Sequence, residues 1–441
     1  GDKSITHRAI MLSSIANGPS IINNAHVGKD CLATIQCLKA MGVKIERYND
    51  KVIIHGKGLY GLNSPFDLLD AENSATTVRI LSGILSAQNF PSVIFGDTSL
   101  AKRPMKRIID PLTSMGAKIN STYNNDCIPL EISPSRLRGI DYRTPILSAQ
   151  IKSALLFAGL YADGPTSYTE EYQTRNHTEL LMKNFGIDIS VEPGERVAVG
   201  MVPNASDSDM ENGLIGSTIG EHLFYKNVTT TLYPKGEFNG RNIQIPGDMS
   251  AAAFVIGAAL LIPNSAVKIL NVGVNETRDG LLRVLQSMGA DITMLNYREH
   301  EGESMADLLV RTSELCATTI EGPFIPNIID EIPMLAVIAS LAKGTTIIKD
   351  AKELRYKESD RITSTVTNLR SMGVNATETE DGMIIEGTDH LEGAIVGSFM
   401  DHRIAMAFSI AGLVAKGETR ILNSHCVDIS YPNFYDTFMF E

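Results

Sequence analysis

Six alanine-rich amphipathic runs, each stopped by Gly or Pro, constrain this chain more than any other feature. They read HRAIMLSSIANG, TTVRILSGILSAQNFP, AQIKSALLFAGLYADG, SAAAFVIGAALLIP, IPMLAVIASLAKG and HRIAMAFSIAGLVAKG. Apolar residues recur at helical spacing in each, and a β-like stretch such as SVIFGD, TTIIKD or TRILNS follows the breaker. Five units then carry a second helical run closing on a recurring phrase: LKAMGVKI, LTSMGAKI, LMKNFGIDI, LQSMGADI and LRSMGVNA. Its Gly stands where a helix C-cap takes left-handed backbone, and the alternating residues after it open another strand. A hairpin partner often follows, as in KVIIHG and GMIIEG. Each unit therefore reads helix, strand, helix, Gly turn, strand.

Six such units, each of about seventy to a hundred residues, predict an α/β chain of two domains with three units apiece. The boundary is expected near Phe238 to Gly247, giving domains 1–240 and 241–441. The turn Gly1-Asp2-Lys3-Ser4 recurs as Gly247-Asp248-Met249-Ser250, and each copy opens the first unit of its half. The stretch FNGRNIQIP precedes the second copy and reads as its leading strand. Nothing precedes the first, so the first unit is expected to lack that strand. The sixth unit has no MG phrase, and the two chain ends are expected to complete one unit between them. Met201 to His222 reads as an insertion.

Net charge is 39 − 51 = −12, which argues against a nucleic-acid groove or an anionic membrane surface as partner. The longest apolar run, Ala251 to Ile262, stops at Pro263 and is too short to span a bilayer. Cys31, Cys37, Cys127, Cys316 and Cys426 form no CxxC pair and read as reduced thiols of a cytoplasmic protein.

Against this acidic background, helix starts are repeatedly basic. Lys3, Ser4, His7 and Arg8 stand at the first, Asn73, Ser74, Thr76 and Arg79 at the second, and Ser148, Gln150 and Lys152 at the third. His402 and Arg403 stand at the sixth. AKRPMKR adds Lys102 and Arg103, TRNHTE adds Arg175 and His177, and YKESDR adds Lys357 and Arg361. A helix N-terminus already favours anions. One such start is a solvated face; a series at corresponding ends of repeated units implies convergence on a ligand with several negative charges.

Two carboxyl sites stand out. In YKESDR, Lys357 and Arg361 lie four apart, on one face if the stretch is helical, with Glu358 beside them. In NIIDEIPML, Asp330 and Glu331 stand at the mouth of the fifth alanine-rich run. Taken alone, these are equally an intrahelical salt bridge and a helix cap. Facing an anion site, they are candidates for proton transfer. No Walker or Rossmann fingerprint is present, and no HxxxH or Cys cluster points to a metal.

GDKSITHR, NSATTVR, KRP, SAQIKSALLFAGL, TRNHTE, LRYKESDR and DHRIAMAF occur in this order, and together they resemble the enolpyruvyl transferase family in its class II form. The resemblance spans nearly the whole chain. It implies two domains, each of three βαβαββ units, with the active site in the interdomain cleft. The implied reaction moves the enolpyruvyl group of phosphoenolpyruvate to the 5-hydroxyl of shikimate 3-phosphate, with no metal or organic cofactor and from a monomer. By the resemblance, Lys3, Ser4, Arg8, Ser148, Ala149, Gln150 and Arg175 bind shikimate 3-phosphate, with Asp330 and Lys357 at its reacting hydroxyl. Lys3, Asn73, Ala75, Arg103, Gln150, Arg361 and Arg403 bind phosphoenolpyruvate. Asp330, Glu358 and Lys3 are the catalytic set, with Glu358 handling the proton at the methylene carbon.

The chain departs from the family at VDISYPNF, where Ile429 stands near a place often held by lysine. Ala75 occupies a position where many glyphosate-sensitive relatives have Gly. Two alternatives remain. The family's other branch uses UDP-N-acetylglucosamine and carries a Cys five residues before the Arg-Pro pair, where this chain has Thr98. A non-catalytic anion sensor is the second, though it has no use for Asp330 and Glu358.

Overall fold

The computed structural model describes residues 1–200 and 221–438; the remainder, including most of the expected insertion, lies outside the described residues. Each alanine-rich run forms a helix: Lys3–Ile15, Ala75–Leu85, Ala149–Gly159, Met249–Leu261, Ile332–Ala339 and His402–Val414. Small side chains let these helices lie buried on nearly every face. Gly83 shows how closely two of them approach, since a Cβ there would stand 2.2 Å from the Ala154 carbonyl oxygen. The two copies of the Gly-Asp-x-Ser turn do the same local job. Asp2 accepts a hydrogen bond from the Ile5 N–H and Asp248 from the Ser250 N–H, and each caps its helix. The recurring phrase also behaves as its sequence requires: Gly42, Gly116, Gly186, Gly289 and Gly373 have φ of 81°, 99°, 79°, 97° and 86°.

The chain forms two compact units. Among the described residues the first comprises 1–196, 225–246 and 299–303, and the second 197–200, 221–224, 247–298 and 304–438. Their cores are separate clusters. Four sheets share one strand order, in which two parallel strands are followed by an antiparallel hairpin, and three of them each draw on one stretch of chain. Leu69–Asp70, Ser92–Phe95, Leu130–Ser133 and Lys118–Ser121 form one. Thr319–Ile320, Thr345–Ile348, Met383–Glu386 and Ala376–Glu378 form another. Asp141–Arg143, Thr166–Tyr172, Glu221–Tyr233 and Asp188–Glu192 repeat the order, with Glu195–Gly200 added against Glu221–Tyr233.

The first sheet departs from expectation. Asn242–Gln244, read from sequence as the leading strand of the fourth unit, pairs parallel with Asn17–Asn23 and so completes the sheet of the first. The register sets Ile22 against Ile243, and both side chains are buried. Lys51–Lys57 and Lys44–Tyr48 continue that sheet. In the fourth unit, Ala266–Gly273 stands at the edge of a three-stranded sheet with Glu303–Arg311 and Asp291–His300. A single parallel bridge, Gly247 to Val272, is drawn on its outer side among the described residues. In the sixth unit Ile395–Gly397 pairs parallel with Arg420–Leu422.

Candidate active site

In the first unit the basic helix starts are held by local partners. Lys3 Nζ lies 2.9 Å from Asp30. Arg8 is 3% exposed and donates to Thr178 Oγ1 (2.7 Å), Ser153 Oγ (2.8 Å) and the Ser4 carbonyl (2.8 Å). Burial, followed by repulsion from Arg175, lowers its pKa to about 10. Arg175 Nη1 reaches Ser4 Oγ at 3.4 Å, which ties the TRNHTE segment to the opening turn. Gln150 is fixed from both ends of its amide: its oxygen accepts from Arg79 (2.6 Å) and its nitrogen donates to Thr76 (2.9 Å). Arg103 donates to Asn73 at 2.9 Å, and Asn73 donates to Asp97 at 2.7 Å. Ser148 and Ala149 begin the third helix, where the Ser148 side chain makes no capping bond. Ala75 is the first residue of the second helix, behind its Ser74 cap.

Three basic side chains from the sequence reading do not belong to this surface. Lys152 is fully buried, with Glu170 at 2.7 Å, Glu179 at 2.8 Å and the Thr174 carbonyl at 3.2 Å. Burial lowers its pKa, but the two carboxylates more than offset this and the net shift is upward. His177 is buried against Glu303 at 2.7 Å. The third, His7, is buried so completely that its pKa falls to about 3, and it is neutral. Each serves the interior rather than a ligand.

In the second unit the carboxyl sites meet around one guanidinium. Arg361 opens the helix Arg361–Ser371, capped by Asp360, and is 1% exposed. Its Nε lies 2.8 Å from Asp401, Nη2 lies 2.6 Å from Glu358, and Nη1 lies 3.2 Å from Asp330. Burial opposes its charge, yet Asp401, Glu358 and Asp330 outweigh burial and raise its pKa. Burial likewise pushes Asp401 upward, and Arg361 reverses this and lowers it. Lys357 approaches Asp330 at 3.4 Å, and Arg403 donates to the Asp330 carbonyl at 3.0 Å. The stretch is not helical at Lys357, which has extended backbone just before Asp360 caps the helix. Lys357 and Arg361 therefore converge on Asp330 through a turn. Glu331, not Asp330, occupies the cap position of the next helix and makes no capping bond there.

Sequence reasoning missed Asp30, Asp97, Arg278 and Asp401. Asp401 was legible as the first letter of DHR; the others carry no local signature. Among the described residues no group of three or more His, Cys, Asp and Glu could hold a metal.

The family model described as EPSP synthase (3-phosphoshikimate 1-carboxyvinyltransferase) matches residues 1–211 and 218–438. A relative from Thermoanaerobacter sp. (strain X514), named 3-phosphoshikimate 1-carboxyvinyltransferase, is 47% identical over 99% of this chain and 95% of its own length. One of the same name from Desulforamulus reducens is 44% identical over 99% of this chain and 94% of its own length. Among solved structures, EPSP synthase from Acinetobacter baumannii is 40% identical with a TM-score of 0.80, covering 99% of this chain and 93% of that one.

Proposed function

The chain belongs to the EPSP synthase family, and from that premise we propose how its side chains move an enolpyruvyl group from phosphoenolpyruvate to the 5-hydroxyl of shikimate 3-phosphate. The named relatives and solved structures stand on this branch rather than on the one using UDP-N-acetylglucosamine. The hydroxyl oxygen adds to C2 of phosphoenolpyruvate while a proton goes to C3. The tetrahedral adduct then loses phosphate from C2 and a proton from C3, and the double bond returns.

Lys3, Ser4, Arg8, Ser148, Ala149, Gln150 and Arg175 hold shikimate 3-phosphate in this reading. Arg8 gives one N–H of each terminal nitrogen to protein, and the second of each is the donor assigned to substrate. Lys3, Asn73, Ala75, Arg103, Gln150, Arg361 and Arg403 are the residues assigned to phosphoenolpyruvate. Asp330, with Lys357 beside it, takes the hydroxyl proton, and Glu358 moves the proton at C3.

The observation that carries the reading is the set of three carboxylates on Arg361. An arriving phosphate exchanges for one of them as the planar guanidinium's partner. Glu358, whose side chain is 17% exposed and the nearest to Nη2, is the group released, and release frees it to carry a proton. Phosphate release that depends on both substrates tests the reaction. Glu358→Gln tests the role: turnover falls by roughly 10²- to 10⁴-fold while shikimate 3-phosphate still binds. Near-normal turnover would overturn that assignment. No described helix is long and apolar enough to cross a membrane; a cytoplasmic monomer is part of the proposal, and sedimentation tests the monomer.

A further inference from the structure

The two Gly-Asp-x-Ser turns cap equivalent helices, but their surroundings differ. Beside Ser4 stand Arg175 and Arg8, the cations assigned to an external anion. Beside Ser250 stands Arg278, with Nη2 2.8 Å from Ser250 Oγ and 3.6 Å from Asp248. Here an anion is already in place. The Ser250 hydroxyl donates to the Glu331 carboxylate, and Arg278 Nη1 faces both of its oxygens at 3.3 and 3.4 Å. Arg403 Nη1 lies 3.8 Å from the same carboxylate. The Glu331 side chain is 0% exposed and Arg278 is 3% exposed, so solvent neither screens nor replaces these contacts.

We infer that Glu331 is a built-in anion, seated at the second copy of a turn whose first copy takes its anion from substrate, and that from this seat it positions Arg403. The chemistry supports one role for both turns. Each offers a serine beside a capped helix start and at least one arginine fork, which is a receptor for a carboxylate or phosphate. In the second unit the protein fills the receptor itself. A filled receptor binds nothing further, and its anion becomes a fixed support. Arg403 gains a carboxylate from Glu331 and a carbonyl from Asp330 on consecutive residues, so its guanidinium is held from one short stretch of chain. Glu331 is a positioning residue, acting on substrate through Arg403.

This rests on the proposed contact of Arg403 with phosphoenolpyruvate, and the test separates the two ideas. Glu331→Ala vacates the receptor while Arg278 and Ser250 remain. Formate should then bind the variant in calorimetry with an affinity the parent protein lacks. It should also restore the KM for phosphoenolpyruvate, which the substitution raises by roughly tenfold or more, with the KM for shikimate 3-phosphate little changed. In the parent, formate only competes for anion sites and raises the KM. Absence of formate binding by the folded variant would overturn the built-in anion. Bound formate without recovery of the KM would overturn the positioning role. Should Glu331→Ala fail to fold, Glu331→Gln keeps the volume and loses the charge; an unchanged KM for phosphoenolpyruvate there overturns the positioning role. Arg403→Ala is the control for the reading beneath: a normal KM in that variant removes Arg403 from the substrate and leaves formate binding as the independent judge of Glu331.

Discussion

Ala75 is the first residue of its helix and 8% exposed, so its methyl group already has neighbours. In the proposed pocket that methyl replaces the hydrogen of a glycine. Phosphoenolpyruvate is short enough to tolerate it, whereas glyphosate is longer and must compress against it. Overpacking of this kind is worth about 1–3 kcal/mol, or roughly ten- to hundredfold in binding. Ala75→Gly is therefore expected to become more sensitive to glyphosate, read from inhibition titrations of both proteins at matched phosphoenolpyruvate. Equal inhibition would show that the methyl has room. His7 makes a different residue-scale prediction. Thr77 donates to the Ser74 cap, which leaves Thr34 to donate to Thr77 and His7 Nδ1–H to donate to Thr34. Burial holds the ring neutral with a pKa of about 3, against 6.5 for an ordinary histidine. Between those values the unfolded chain binds a proton that the native chain does not. The contribution is thus fully present above pH 6.5 and is lost as pH falls toward 3, with a slope of up to about 1.4 kcal/mol per pH unit. Urea unfolding of His7→Gln between pH 5 and 7 should show a shallower dependence than the parent, and identical slopes would assign the pH effect elsewhere.

The element built on Lys152 shows how a helix start can be internal. The helix Ala149–Gly159 sends Lys152 inward, where it joins Glu170 on one strand to Glu179 on the helix His177–Asn184. It also holds the Thr174 carbonyl, and Glu170 accepts from the Thr174 hydroxyl at 2.6 Å. Arg175 is the next residue, so this buried trio sets where the arginine proposed to hold shikimate 3-phosphate leaves the core. Lys152→Met would leave two buried carboxylates without a cation, and stability to urea should drop by about 3–5 kcal/mol. A drop below about 1 kcal/mol would mean that the trio behaves as a surface pair. Lys152 also shows what sequence can and cannot yield. SAQIK looks like one more cationic start, because the helical period fixes which face a residue is on but not what that face meets. The repeats were legible because alanine runs, Asp caps and left-handed glycines each act within a few residues. Glu358, Asp330 and Arg361 were legible as candidates through their motifs. Glu358 lies three residues from Arg361, but the approach of Asp330 and Asp401 to that guanidinium, and the seat of Glu331 beside Arg278, depend on contacts between residues 31 to 81 positions apart, which no local pattern encodes.

At the scale of the whole molecule, chain order and spatial order part at Asn242–Gln244. This strand is followed directly by the Gly247 turn of the second unit, yet it hydrogen-bonds within the first. Ile243→Ala should therefore raise hydrogen exchange in Asn17–Asn23 and leave Ala266–Gly273 as protected as before, measured by mass spectrometry on peptides from both strands. The reverse pattern would contradict the pairing. The same strand bears on biosynthesis. Asn24 and Ile245, which bond across this junction, are 221 residues apart. At about 5–20 residues per second, translation takes roughly 10–40 s to cover that span. Throughout that interval the nascent strand Asn17–Asn23 has one unsatisfied side, open to whatever edge it meets first. Ribosome-bound chains of this protein thus pass through a long stage in which the sheet of Asn17–Asn23 waits for Asn242–Gln244 to emerge, and whatever shields that waiting edge from other chains protects the nascent protein from mispairing.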